Sequence, residues 1–452
     1  MFGFRVQALL LVMGLASVSA RADEVRYLAT GDVALAQLFL DIRQARQSID
    51  MTYYIWHNCH ASTKVLLRAI SEQKRKHPEL RTRLMIDGIT FPKNAQRGYA
   101  AYLRGKGIET RFFNVKAGYN PQANFRNHAK VTIVDREMYV TGGRNIADDY
   151  FGLAEGLNWI DRDVWARGES ARGAAARYED LWNSPDVNRP GSATPEEISN
   201  VGDSCHGWNE KDEALWRFLV QNAEATVKKA PVHSCSQVQY VMDDLSYARL
   251  PRPNSGEDVY MSQDRLSAKP ATRELVKMLE NSSSVVMENY VYIPPGRLQG
   301  QFERAKMGNY PIELYTNFFK ASGEPVDDVA NYYMRRDQRG SQRHIVFKSM
   351  NGNGQRWSQS PAKQEYKIHS KVFVTDLQHS YVSSFNIDPR SYHTNIESGV
   401  IAKNCPSLAR EIVQHTRALA RVERQGLCRG AEDCPAPKPG SSIWNWFIHE
   451  LL

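Results

Sequence analysis

The sequence contains no C-x-x-C pair, so its six cysteines lack the spacing of a zinc ribbon or a dithiol redox site. It has no dense Lys/Arg tract, which removes the polybasic tails that hold nucleic acid by charge alone. Beyond the first 22 residues, no apolar run approaches the length of a membrane-spanning helix. Nothing in the composition suggests disorder. Hydrophobic residues make up 42% and charged residues 24% of 452, which is ordinary for a globular chain. That length accommodates two domains or one duplicated unit.

What is present begins with an export pattern. Arg5 supplies a positive start, the run from Ala8 to Ala20 is apolar but too short to span a bilayer, and Ala20-Arg21-Ala22 matches an A-x-A cleavage site. The pattern predicts a signal peptide over 1–22 and an exported mature protein, periplasmic or secreted. An even cysteine count fits an oxidising compartment. Cys205 with Cys235 and Cys428 with Cys434 are the expected local bridges, leaving Cys59 and Cys405 to pair across the chain or stay free. The 58 basic and 50 acidic residues give +8, which favours anionic partners such as phospholipid headgroups or nucleic acid.

The chain also repeats its order of parts. A helix-like stretch at Val33–Ala45 leads into the strand-like Ile49–Trp56. A second helix-like run follows, with Val65, Leu66, Ala69 and Ile70 on one face. Strand-like segments then end at Asp87 and Phe113, followed by HAKVTIVD and MYVTGG. The second half offers a helix at Thr272–Leu279 and strands at Ser284–Ile293, Pro311–Phe319 and Arg343–Ser349, closed by HSKVFVTD and SYVSSFN. Alternating strands and helices predict an α/β fold. The expected division is 1–22 signal, 23–187 first lobe, 188–237 linker or insertion, 238–425 second lobe, and 426–452 a Cys/Pro-rich segment with an aromatic tail.

The strongest evidence of duplication is chemical. His128, Lys130, Asp135 and Asn145 recur as His369, Lys371, Asp376 and Asn386, every pair offset by 241 residues. A lone strand histidine is more often a core or surface residue than a catalyst, and a single H-x-K-x4-D match is weak. Two matched sets without a gap are strong. Residues two apart on a strand share a face, so each His projects with its Lys. A neutral imidazole can attack phosphorus and a protonated one can release the leaving oxygen, while an ammonium steadies the anionic charge. Two histidines can divide those tasks. Gly143 and Ser384 would let backbone approach a phosphate, and Asn145 and Asn386 would donate to it. Asp135 and Asp376 end strands, so turn formation is their competing role.

HAKVTIVDREMYVTGGRN and HSKVFVTDLQHSYVSSFN resemble the paired HKD motifs of the phospholipase D superfamily. GGRNIADDYFG and SSFNIDPRS further resemble its bacterial cardiolipin synthase branch. The resemblance implies two pseudo-symmetric lobes, each a mixed β-sheet flanked by helices, with the active site at their interface. It implies catalysis by His128, Lys130, Asp135, His369, Lys371 and Asp376, through a phosphohistidine resolved by water or an alcohol, with no metal or cofactor. By resemblance His128 is the nucleophile and His369 the acid/base. An acid following each motif orients a histidine in relatives. Asp163 and Glu397 are the candidates, with Asp161 the rival of Asp163.

The implied substrates are phosphatidylglycerol, phosphatidylethanolamine or cardiolipin-like lipids, with peripheral membrane contact. Trp444, Trp446 and Phe447 in the tail either insert at a membrane interface or pack on the body. Tyr53, Tyr54, Trp56, Tyr290 and Tyr292 either line a substrate channel or fill the core. The competing functions are an endonuclease cleaving DNA or RNA, for which nucleic acid would be the partner, and a non-catalytic phosphate-binding module.

Overall fold

The computed structural model describes residues 22–90, 93–113, 125–204, 207–244, 266–308, 310–317, 326–340, 345–349 and 365–419. The export signal and aromatic tail lie outside them, as do Cys205, Cys428 and Cys434. The first lobe contributes strands β1 (Asp23–Leu28), β2 (Ser48–Tyr53), β3 (Arg81–Asp87), β4 (Glu109–Phe113), β5 (Val131–Val134), β6 (Met138–Gly142), β7 (Leu157–Ile160), β8 (Asp163–Arg167), β9 (Val187–Asn188) and β10 (Val232–Cys235). The second contributes β11 (Gln237–Met242), β12 (Val285–Glu288), β13 (Ile312–Thr316), β14 (Ile345–Ser349), β15 (Glu365–Ile368), β16 (Val372–Thr375), β17 (His379–Ser383) and β18 (Ser398–Lys403).

The duplication seen in the motifs extends to the whole architecture. The first sheet has the order β10-β1-β8-β6-β5-β2-β3-β4-β9, and the second β11-β18-β17-β16-β12-β13-β14. Without its two outer strands, the first sheet repeats the second strand for strand. In both, the strands that alternate with helices pair in parallel (β2-β3-β4 and β12-β13-β14), and the motif hairpins pair antiparallel. The fold is mixed α/β in two lobes.

Central strands are buried on both faces, which explains their apolar runs. Val131 and Ile133 of β5 pack with Val372 and Val374 of β16 in one core that belongs to both lobes. Val134 and Phe373 point the opposite way, into separate outer cores built with each lobe's helices. The shared core makes the two sheets one body.

Within residues 188–237, expected as a linker or insertion, helix Glu210–Val227 buries Leu215, Trp216 and Leu219 in the first lobe's core. The chain then runs through β10, on the first sheet, and crosses to β11 on the second after a single residue. Two expectations need correction. Cys235 pairs with Cys405, across 170 residues, rather than with Cys205. Cys235 ends the first sheet's edge strand, and Cys405 opens the helix Pro406–Leu419, so the bridge fastens the lobe crossing. Cys59 is disulfide-bonded too. Strand β12 stops at Glu288, and Tyr290 and Tyr292 continue beyond it.

The motif aspartates are turn residues. Asp135 and Arg136 both have positive φ (53° and 60°), as do Asp376 and Leu377 (54° and 54°). Two successive left-handed residues make the tight turn that suits a twisted hairpin, and Asp tolerates that region better than most side chains. The Asp135 carboxylate accepts from the backbone N–H of Arg46, Gln47 and Ser48 at 2.9, 2.7 and 2.8 Å. Asp376 does the same for Ser283 and Ser284 at 2.9 and 2.8 Å. Each clamps the entry of the strand beside its motif. A strand's rise of about 3.3 Å per residue puts each roughly 20 Å from its motif histidine, so neither belongs to the catalytic set.

Replacing Asp135 with Ala is therefore expected to lower unfolding free energy by about 1–3 kcal/mol, the cost of unpairing backbone donors. Urea unfolding measures the loss, and the protein that remains folded should turn over at the parent rate.

Candidate active site

The two motif histidines come to the lobe interface because each is stitched to the opposite lobe. Strand β15, just before His369, pairs in parallel with β7 of the first lobe. Asn127, just before His128, forms a parallel bridge with Ile396 of the second. The His128 N–H donates to the Ile396 carbonyl at 3.0 Å, and the His369 N–H to the Ile160 carbonyl at 2.8 Å.

The residue after each of those isoleucines is the acid. Glu397 accepts from His128 Nδ1 at 2.8 Å, and Asp161 from His369 Nδ1 at 2.5 Å. A carboxylate on Nδ1 fixes the proton there and leaves the Nε2 lone pair for chemistry. The pairs are crossed, the acid always coming from the other lobe. Asp163, expected as an orienting residue, instead binds Arg144 at 3.0 Å, so Asp161 takes that place. Val164, next to Asp163, faces the core shared by the lobes, so Asp163 points to the opposite face of β8.

The expected phosphate-binding residues serve several ends. A Cβ on Gly143 would lie 2.1 Å from Asp161 Oδ1, so glycine there makes room for the acid. Its counterpart Ser384 donates to Glu397 at 2.5 Å, joined by Ser391 at 2.7 Å and Asn395 at 3.1 Å. Asn145 is committed to the fold, accepting from the Ile55 N–H at 3.0 Å and donating to Tyr150 at 2.8 Å. Asn386 differs, with a buried side-chain oxygen that has no hydrogen-bond partner among the described residues. Lys130 donates to the His128 carbonyl at 2.7 Å, and Lys371 to that of His369.

Aromatic rings close the site. Lys130 lies 5.4 Å from the centre of the Tyr54 ring and Lys371 5.4 Å from that of Tyr290. His369 is boxed by Tyr150, Trp159 and Tyr290, with centroids at 5.1, 5.4 and 5.1 Å. Tyr54 stands 5.1 Å from His128. Of the other aromatics considered, Tyr53, Trp56 and Tyr292 are core residues, bonded to Thr132, Tyr99 and Asp337. Sequence reading missed Tyr150, at the end of a short 3-10 turn, and Trp159, in the four-residue strand β7. It weighed Asp161, and the signal that would have favoured it is the shared Ile–acid pair, Ile160-Asp161 and Ile396-Glu397.

Burial governs the charges. It lowers His128 to about 4 against the pull of Glu397, and His369 to about 3 with help from Lys371. Lys130 falls to about 7 and Lys371 to about 8 for the same reason. Burial alone would raise Asp161 and Glu397, yet their histidine partners and the lysines outweigh it and hold both carboxyls low. Both lysines act on each histidine, so the four side chains form one electrostatic cluster.

Over residues 38–182 and 275–419 the sequence matches the family described as cardiolipin synthase, PLD-like domain. The chain belongs to that family. A Helicobacter pylori (strain 26695) protein of undescribed function is 25% identical over 397 residues, covering 82% of this chain and 74% of its own. A Listeria welshimeri cardiolipin synthase is 27% identical over 178 residues, only 39% of this chain and 36% of that one. The fold is shared with the crystal structure of phosphatidylserine synthase from Haemophilus influenzae Rd KW20. That match has a TM-score of 0.63 at 14% identity and covers 94% and 92% of the two chains. The family's two repeats coincide with the two lobes, and each repeat holds one His, one Lys and the acid that serves the other.

The histidine values fix a pH response. Both lie below the unfolded value of 6.5, so between those limits the unfolded chain binds more protons. Stability of the free protein is expected to fall as pH drops from about 6.5 toward 4, read as a falling thermal midpoint. An anion in the site favours the charged imidazole, so tungstate binding at pH 7 should take up roughly one proton. Calorimetry in two buffers of different ionisation enthalpy measures it, and release of protons would contradict the assigned charge states.

Proposed function

We propose that this protein is an exported phosphodiesterase or phosphatidyltransferase that acts on phospholipids through a phosphohistidine. The observation that carries it is the crossed arrangement, in which two buried imidazoles at one interface each have Nδ1 held by a carboxylate and Nε2 without a hydrogen-bond partner among the described residues. His128 Nε2 attacks phosphorus, forming a P–N bond as the P–O bond to the leaving alcohol breaks. His369 Nε2–H delivers the proton to that oxygen. An acceptor, water or an alcohol, then loses its proton to His369 and attacks phosphorus, and the P–N bond breaks. Lys130 and Lys371 offset the negative charge on the non-bridging oxygens throughout.

His128 suits the nucleophile because Glu397 is the more firmly held acid, with Ser384, Ser391 and Asn395 all donating to it. The likeness to cardiolipin synthases supports a lipid substrate, as does the excess of basic residues. The A-x-A pattern at 20–22 and the Cys235–Cys405 bridge support export.

Three measurements test the reading. Purified protein incubated with phosphatidylglycerol, phosphatidylethanolamine or labelled DNA should convert lipid to phosphatidic acid or to a larger phosphatidyl product. Cleavage of DNA with no lipid turnover would replace this reading with the nuclease. Acid-quench trapping should recover a phosphoryl-enzyme from the parent and none from His128→Ala, with His369→Ala slowed at least ~100-fold in turnover, the usual scale for one acid–base group. For export, N-terminal sequencing of protein from the periplasm or medium should begin at residue 23.

A further inference from the structure

A cavity of about 650 Å3 opens next to the active site, sharing Tyr150, Trp159 and Asp161 with it as a common wall. It lies between the start of helix Gly31–Gln44, the connection from β7 to β8, and helix Pro406–Leu419. Neither motif histidine nor either motif lysine lines it. The segment Trp159–Arg162 is the wall between the two spaces. On one side that segment holds His369, through the Ile160 carbonyl and the Asp161 carboxylate; its other side lines the cavity.

The polar groups of the cavity divide sharply by partner. Every lining carboxylate is already served: Asp32 by the Thr30 hydroxyl at 2.5 Å, Glu411 by His233 at 2.5 Å, and Asp161 by His369. The two arginines are spent on Asp163 and Glu288. Donors are left over as well. Tyr27 is fully buried, lines the cavity, and its hydroxyl has no hydrogen-bond partner among the described residues. Thr30 makes no capping bond, so the first-turn N–H groups of helix Gly31–Gln44 stay uncapped at the cavity edge. Lys229 stands at the rim, with no carboxylate paired to it among the described residues. Much of the remaining wall is apolar, with Val33, Phe151, Ile160 and Leu419.

Unpaired donors at a helix N-terminus, beside an apolar wall, suit an anionic head on a hydrocarbon body. We propose that this cavity is a second binding site, for the phosphate head of a single-chain amphiphile, and that its occupancy acts on His369 through Trp159–Arg162. The phosphate oxygens take the Tyr27 hydroxyl, the helix N–H groups and the Lys229 amine, and the chain lies along Phe151 and Leu419. The inference concerns binding and does not depend on the reaction assigned above.

The full-length protein carrying His128→Ala, to prevent turnover, is titrated with decanoyl lysophosphatidic acid, inorganic phosphate and monodecanoin while tungstate saturates the active site. The lysophosphatidic acid should bind one saturable site. Inorganic phosphate and monodecanoin should each bind at least ~10-fold more weakly, because each lacks one half of the chemistry. Two changes at exposed positions that leave the core intact, Lys229→Glu and Ala418→Trp across the mouth, should each weaken binding about 10-fold or more. By reciprocity, the occupied cavity should change tungstate affinity at least ~2-fold. Absence of saturable binding, or undiminished binding in both variants, overturns the site. Phosphate binding as tightly as the lipid overturns the amphiphile assignment, and unchanged tungstate affinity overturns the coupling to His369.

Discussion

The structure depends on the exchange of acids between lobes, Glu397 to His128 and Asp161 to His369. All four side chains are nearly or fully buried, and an ionised carboxylate without a partner there would be very costly. Neither lobe can complete its own histidine, so neither can reach a satisfied state alone. The shared apolar core supplies the cohesion between the sheets. The crossed pairs, together with the backbone bonds from His128 and His369 to Ile396 and Ile160, specify the register in which that cohesion acts. A sliding of one sheet over the other would strand two charges at once.

Pseudo-symmetry does not make the two halves equal. Where the second lobe has Ser384 donating to Glu397, the first has Gly143 yielding space to Asp161. Glu397 sits in a lattice of donors; Asp161 has His369 and the Arg162 N–H at 2.8 Å. Among the described residues, His369 is enclosed by three aromatic rings and His128 by one at comparable distance. Two chemically identical imidazoles therefore differ in how tightly their acid is held and how dry their surroundings are. In the proposed mechanism, such differences allow one to act as nucleophile and the other to pass a proton.

Strand positions and the paired motifs were legible because they are written in local pattern: β-branched runs, a helix face, a spacing of 241 repeated without a gap. Residue roles were less so. Asp135 and Asp376 occur in the motif at fixed distance from His and Lys, but spacing along a strand says nothing about which end faces the interface. Their role follows from φ values and backbone partners that only the folded chain reveals. Asp163 and Asp161 lie two apart, and the choice between them turns on which reaches across to the other lobe, a tertiary fact. The cysteine pairing failed for a related reason. Proximity in sequence favoured Cys205 for Cys235, whereas the chain's return 170 residues later brings Cys405 beside it.

Charge balance finally explains why the cluster is built from six groups rather than two. With both histidines neutral, two lysines offset two carboxylates and the buried site is close to electroneutral. A phosphodiester brings one further negative charge into a space where water screens little. The depressed histidines and lysines then become the remedy, because each gains proton affinity as the anion approaches. In the proposed reaction, the proton that compensates the substrate's charge is the one an imidazole needs to expel the leaving alcohol. Binding and acid catalysis are then a single electrostatic event, and a site with exposed, ordinary histidines would lose that coupling even if its geometry were the same.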